Sequence, residues 1–219
     1  MKRAVFIAGL LLELLGRGIA LGAADRFTFS ADRTEAVLAQ GRERTILSGN
    51  AQVTTRDTEI TAERIELYGE DFRYLICTGA IRVRDNKNGF ILLCQNLFYD
   101  REIDFSRIQG ESEMIDQKNA LIVKGAYLEN WGQENLTIIQ VGVRIVKEDE
   151  SGIMTCRAEY ARYNREREQL ELSGMPQVRW KGDDYAAARI SVDLGTDEIT
   201  LEGRVSGLVS TESRETEGE

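Results

Sequence analysis

The chain has 219 residues, 42% of them hydrophobic, and a formal net charge of -9. That is enough sequence for one or two domains with a real core, and the acidic balance sets the surface against nucleic acid. With no His at all, imidazole bases, histidine metal ligands and His-activated nucleophiles are excluded.

The first segment reads as an export signal. Lys2 and Arg3 precede an apolar stretch from Ala4 to Leu15, broken only by Glu13, and small residues follow at Ala20, Gly22, Ala23 and Ala24. Residues 1–24 are therefore expected to be a cleaved signal peptide of an exported protein, unlipidated because no Cys follows Leu21-Gly22-Ala23. A retained anchor is the alternative, but Glu13 and Arg17 cut the apolar run well below the ~20 residues of a spanning helix. Cleavage would leave 25 basic against 36 acidic side chains, a formal charge of -11, so an anionic ligand must be held by short-range contacts.

From Phe27 onward the chain repeats itself. A motif of alternating apolar residues around a small one begins with Leu47, Gly49, Ala51 and Val53 and recurs with Cys77, Gly79, Ile81 and Val83. Its second positions fall at 49, 79, 110, 141, 174 and 203, in steps of 29 to 33 residues. Between the copies runs a second motif, a small residue followed by apolar positions three and five further on, clearest in Ala62, Ile65 and Leu67 and recurring from 31, 94, 125, 158 and 187. Alternation is strand periodicity with one face buried, and the step of three inserts one residue, as a β-bulge or bend does. Each unit is read as two strands and two turns, with turn chemistry at 85–89, 148–152, 181–184 and 195–197. About twelve strands of roughly six to nine residues result, and they must stack on their neighbours to bury their apolar faces. The tail 210–219 is short, polar and charged, and is expected to be disordered.

The remaining reactive residues carry little. Cys77, Cys94 and Cys156 show no metal spacing; they read as free buried fillers, with a Cys77–Cys94 bond as the alternative. A hairpin centred on position 87 would place Cys77 opposite Leu97 and Cys94 opposite Ala80. Glu59, Glu63 and Glu66 read as a solvated outer face, and no carboxylate pair stands out as catalytic. Trp180 continues an apolar alternation and reads as core, whereas Trp131, at a strand end beside Gly132, is a candidate contact residue.

The segments Ser48-Gly49-Asn50-Ala51-Gln52-Val53, Ile60-Thr61-Ala62-Glu63-Arg64-Ile65-Glu66-Leu67-Tyr68 and Thr78-Gly79-Ala80-Ile81-Arg82-Val83 resemble the repeats of the OstA/LptA-like family. The resemblance covers about Phe27 to Val205, is strongest from 45 to 100, and departs between 104 and 147, where Ser112 and Met114 stand for the usual valines. It implies an all-β domain over 25–209, in which repeated antiparallel strands stack into an open β-jellyroll with an apolar groove. It also implies no catalytic residue, no cofactor and no metal. The cargo would be lipopolysaccharide or a related glycolipid, its acyl part held by Val53, Ile65, Leu67, Ile81, Val83 and Leu97. Partners would be same-fold transport proteins of the inner and outer membranes, or further copies added head to tail at edges marked by Phe27, Phe29, Leu201 and Val205. Two other roles fit the same repeat: a membrane-anchored partner in such a system, and a structural β-solenoid with no ligand.

Overall fold

The computed structural model describes residues 27–209, except 38, 40, 88, 119, 150, 151, 165, 194 and 197. The expected signal peptide and the charged tail lie outside the described residues. The elements are β1 (Thr28–Ser30), β2 (Arg33–Val37), β3 (Arg44–Thr54), β4 (Thr58–Tyr68), β5 (Tyr74–Asp85), β6 (Phe90–Asp100), β7 (Phe105–Asp116) and β8 (Leu121–Trp131). They continue with β9 (Leu136–Asp149), β10 (Gly152–Asn164), β11 (Gln169–Ser173), β12 (Gln177–Trp180), β13 (Asp183–Ala186), β14 (Arg189–Asp193), β15 (Glu198–Glu202) and β16 (Ser206–Leu208). All sixteen belong to one antiparallel sheet.

The sixteen strands are twelve passes of the chain, each bent near its middle. β3 to β10 run 11 to 14 residues each, longer than the expected six to nine, because the inserted residue bends a strand without ending it. In the first pass and the last three, the bend splits the strand into separate pieces. Register shifts between Ser48 and Ala51, Thr61 and Arg64, Thr78 and Ile81, and Leu93 and Asn96 mark the bend in β3 to β6, and it continues across the sheet. Every small-residue position of the two sequence motifs lies on this line. At Gly49 and Gly79 the backbone has φ of 73° and 76°, a left-handed conformation that a side chain resists. In the fourth copy Val141 takes that conformation, at φ 65°, with Gly142 beside it at 66°.

The bend divides the sheet into two arms whose inner faces share one hydrophobic core. The first arm holds β2, β11, β14, β15 and the halves of β3 to β10 paired with them; the second holds β1, β12, β13, β16 and the other halves. Along the first arm, the inner row next to the bend is Thr34, Leu47, Ile65, Cys77, Leu97, Ile108, Leu128, Ile139, Ala161, Leu172, Ile190 and Leu201, each opposite the next. The second arm answers with Phe29, Val53, Ile60, Val83, Leu92, Met114, Val123, Ile145, Cys156, Val178, Tyr185 and Gly207. Burying an aliphatic side chain contributes about 1.5–3 kcal/mol, so these rows carry the stability of the fold. The sheet does not close: β1 and β2 pair with β3, and β15 and β16 with β14 and β13, leaving both outer edges unpaired among the described residues.

Candidate functional site

The inner face is where the repeat concentrates its apolar side chains. Leu67, Ile65 and Leu97 lie on the first arm and Val53, Ile81 and Val83 on the second, all pointing inward. All six are buried, from 0% exposure at Ile65 to 6% at Val83. Burial this complete leaves no water-filled channel along them, so the apolar face is closed by its own side chains. Met114 takes the usual valine's place on the inner row, and the Ser112 hydroxyl donates to the Gly125 carbonyl at 2.8 Å. The departing stretch therefore keeps the register of the other repeats.

One polar run interrupts the inner face. On the second inner row of the first arm, Ser106 pairs with Asn130 and Asn130 with Thr137, and all three are buried. The Thr137 hydroxyl donates to Asn130 Oδ1 at 3.0 Å, whereas Ser106 Oγ is buried with no hydrogen-bond partner among the described residues. The run lies within 104–147, so departure from the repeat is its one sequence signal. Nearby, the Tyr99 hydroxyl donates to Asp104 at 3.2 Å; burial first, and the Asp104 carboxylate second, push its pKa up and keep it neutral.

The three cysteines are free and buried. Cys77 stands opposite Leu97 as expected, but Cys94 stands opposite Ile81 and not Ala80, because the bend at Gly79 and Ala80 displaces the register by one. Burial pushes the Cys94 and Cys156 thiols up to about 12 and Cys77 higher still, so none is a thiolate near neutral pH. Among the described residues no group of three or more His, Cys, Asp or Glu side chains could hold a metal ion.

The outer faces carry the charge. Glu66 is more than a solvated carboxylate: its side chain is 16% exposed and bridges Arg44 at 2.8 Å and Arg64 at 3.0 Å. The Arg44 hydrogen bond, working against burial and joined by Arg64, lowers its pKa. Trp131, the candidate contact residue, ends an aromatic ladder on the outer face of the first arm, with its ring 4.4 Å from Phe105. Trp180 packs against the core, as its alternation implies, with Lys181 Nζ 4.4 Å above its ring.

At the sheet edges, Phe27 and Leu201 pack against the core, and Phe29 is 50% exposed in β1. Val205 departs from the expectation of a continued edge strand. It lies at the bend between β15 and β16, 54% exposed, and Gly207 takes the inner-row position opposite Tyr185.

No family model matches the sequence, and no curated protein matches it. Among solved structures the chain is similar to LptH, described as the LptA-homologous periplasmic component of the conserved lipopolysaccharide transport device from Pseudomonas aeruginosa. The similarity has a TM-score of 0.27 at 10% identity, over 84% of this chain and 95% of that one.

Proposed function

We propose that this is an exported, non-enzymatic protein that binds the acyl part of an outer-membrane glycolipid of the lipopolysaccharide type, as a periplasmic bridge or chaperone. The supporting observation is the inner face: beside the bend, apolar rows run from Leu47 to Leu201 on the first arm and from Phe29 to Tyr185 on the second, in a sheet that does not close, so an alkyl chain lying along them would meet hydrocarbon. The sequence resemblance of the repeats supports the cargo class. Because the inner face is filled in this conformation, binding requires the two arms to part, with the bend as hinge. The unpaired edges at β1–β2 and β15–β16 present backbone groups to which another strand can add, which supports head-to-tail copies or same-fold partners.

The sealed interior also supports a second reading, a structural β-solenoid that holds no ligand. Photo-crosslinking separates the two. With benzoylphenylalanine at Leu97 on the inner face, or at Glu129 on the outer face, cells expressing the protein should yield a glycolipid adduct at 97 and none at 129. Adducts at neither position, together with no lipid in an organic extract of the purified protein, would leave the solenoid.

A further inference from the structure

The two outer faces treat their basic residues differently. On the first arm, arginines sit beside carboxylates: Arg44 and Arg64 hold Glu66, Arg73 holds Asp100 and Glu102, and Arg107 holds Glu129 at 3.1 Å. On the second arm, Lys124 stands opposite Arg144 and Arg144 opposite Arg157, three cations on adjacent strands. Arg82 lies in the same row, and Arg84 two residues along β5. Lys124 is paired with Glu113 at 3.0 Å, but Arg82, Arg84, Arg144 and Arg157 are exposed and have no ion-pair partner among the described residues.

Like charges directly opposed across strands destabilise a sheet. A fold that pairs its first-arm arginines, and Arg179 with Asp184 at 2.6 Å on the second arm, yet sets Lys124, Arg144 and Arg157 against one another violates a local rule at one place, which is how a binding surface is recognised. The row borders a concavity of about 860 Å³ lined by Arg82, Lys124, Arg144, Leu93 and Val141, with the acids Glu111 and Glu113 in its wall. Around it the same face exposes Val141 at 57%, Val146 at 39% and Ile153 at 56%. Guanidinium forks bind phosphate oxygens in pairs, and aliphatics beside a basic row suit the boundary between headgroups and acyl chains.

We propose that the outer face of the second arm, centred on Lys124, Arg144 and Arg157, docks on the phosphate headgroups of an anionic lipid bilayer. The net charge of -9 opposes this only at long range; within a Debye length of about 8 Å in physiological salt, the local row dominates. The inference stands apart from the acyl-binding reading, since it uses the opposite face of the sheet.

The test is co-sedimentation of the full chain with vesicles of phosphatidylcholine alone or with one third phosphatidylglycerol, reading the ratio of anionic to neutral binding, because the apolar N-terminal segment is common to every variant. Wild type should prefer the anionic vesicles. The double variant Arg144→Gln with Arg157→Gln should lose about 25-fold, at about five-fold per basic residue, and should melt no lower than wild type, since it relieves the opposed charges. Arg107→Gln with Arg162→Gln, the same charge change on the first arm, should bind within about two-fold of wild type. Equal binding of wild type to both vesicles, equal losses in the two double variants, or full displacement by millimolar inorganic phosphate would each overturn the proposal.

Discussion

The arms are built from the same repeat, share one core, and differ on the side that faces water. The first arm is self-sufficient: Tyr68, Tyr74, Phe98, Phe105 and Trp131 form a ladder with ring separations of 4.4 to 6.3 Å, and Arg73 and Arg107 lie over its rings. The second arm sets Lys124, Arg144 and Arg157 side by side and leaves aliphatics exposed. The repeat thus constrains the inner residues of each pass, where burial acts, and leaves the outer ones free to diverge.

The largest expected effect tests what the arms share. Leu67→Asp on the first arm and Ile81→Asp on the second, both 2% exposed, should each cost about 4 kcal/mol or abolish folding, since an unpaired carboxylate cannot be solvated there. Chemical denaturation measures it. A variant that melts like wild type would mean that the inner and outer faces are wrongly assigned on that arm.

A smaller effect should separate the arms. The Asp100 side chain is 7% exposed and held by Arg73 at 2.6 Å, so Arg73→Gln should lower stability, leaving a poorly compensated carboxylate. Arg144→Gln on the second arm should change stability by less than about 0.5 kcal/mol. The pH dependence has a definite sign. Burial works to raise the Asp100 pKa, but the Arg73 hydrogen bond and backbone amides outweigh it and hold the carboxyl low. A lowered folded pKa contributes stability above the unfolded value of about 3.9 and loses it as pH falls through the folded one. The gap between wild type and Arg73→Gln should therefore close below about pH 4, and a gap constant down to pH 2 would rule the ion pair out as its source.

The smallest effect lies at the bend. Val141 holds a left-handed conformation at φ 65° where other copies of the repeat have Gly, and it is exposed, so Val141→Gly removes strain without opening the core. Relief of roughly 1–2 kcal/mol, offset by the entropy glycine loses on folding, should leave about 0.5–1 kcal/mol of added stability. Thermal melts check it, and a destabilised variant would show that the valine packs more than its exposure implies.

The inner rows and the bends were legible in the sequence because burial acts with period two on every pass, and a repeat near 31 residues writes the same local pattern each time. Leu47, Ile65, Cys77 and Leu97 declare their face through their neighbours along the chain. Contacts between strands have no local signature. Arg107 finds Glu129 22 residues away, while Arg144 finds Arg157, and both are arginines in alternating strands until the register brings the partners together. The one-residue displacement that sets Cys94 opposite Ile81, the buried Ser106–Asn130–Thr137 run and the closing of the apolar face on itself arise in the same way. Each depends on which strands meet and how far the bend brings the arms together, and alternation along one strand encodes neither.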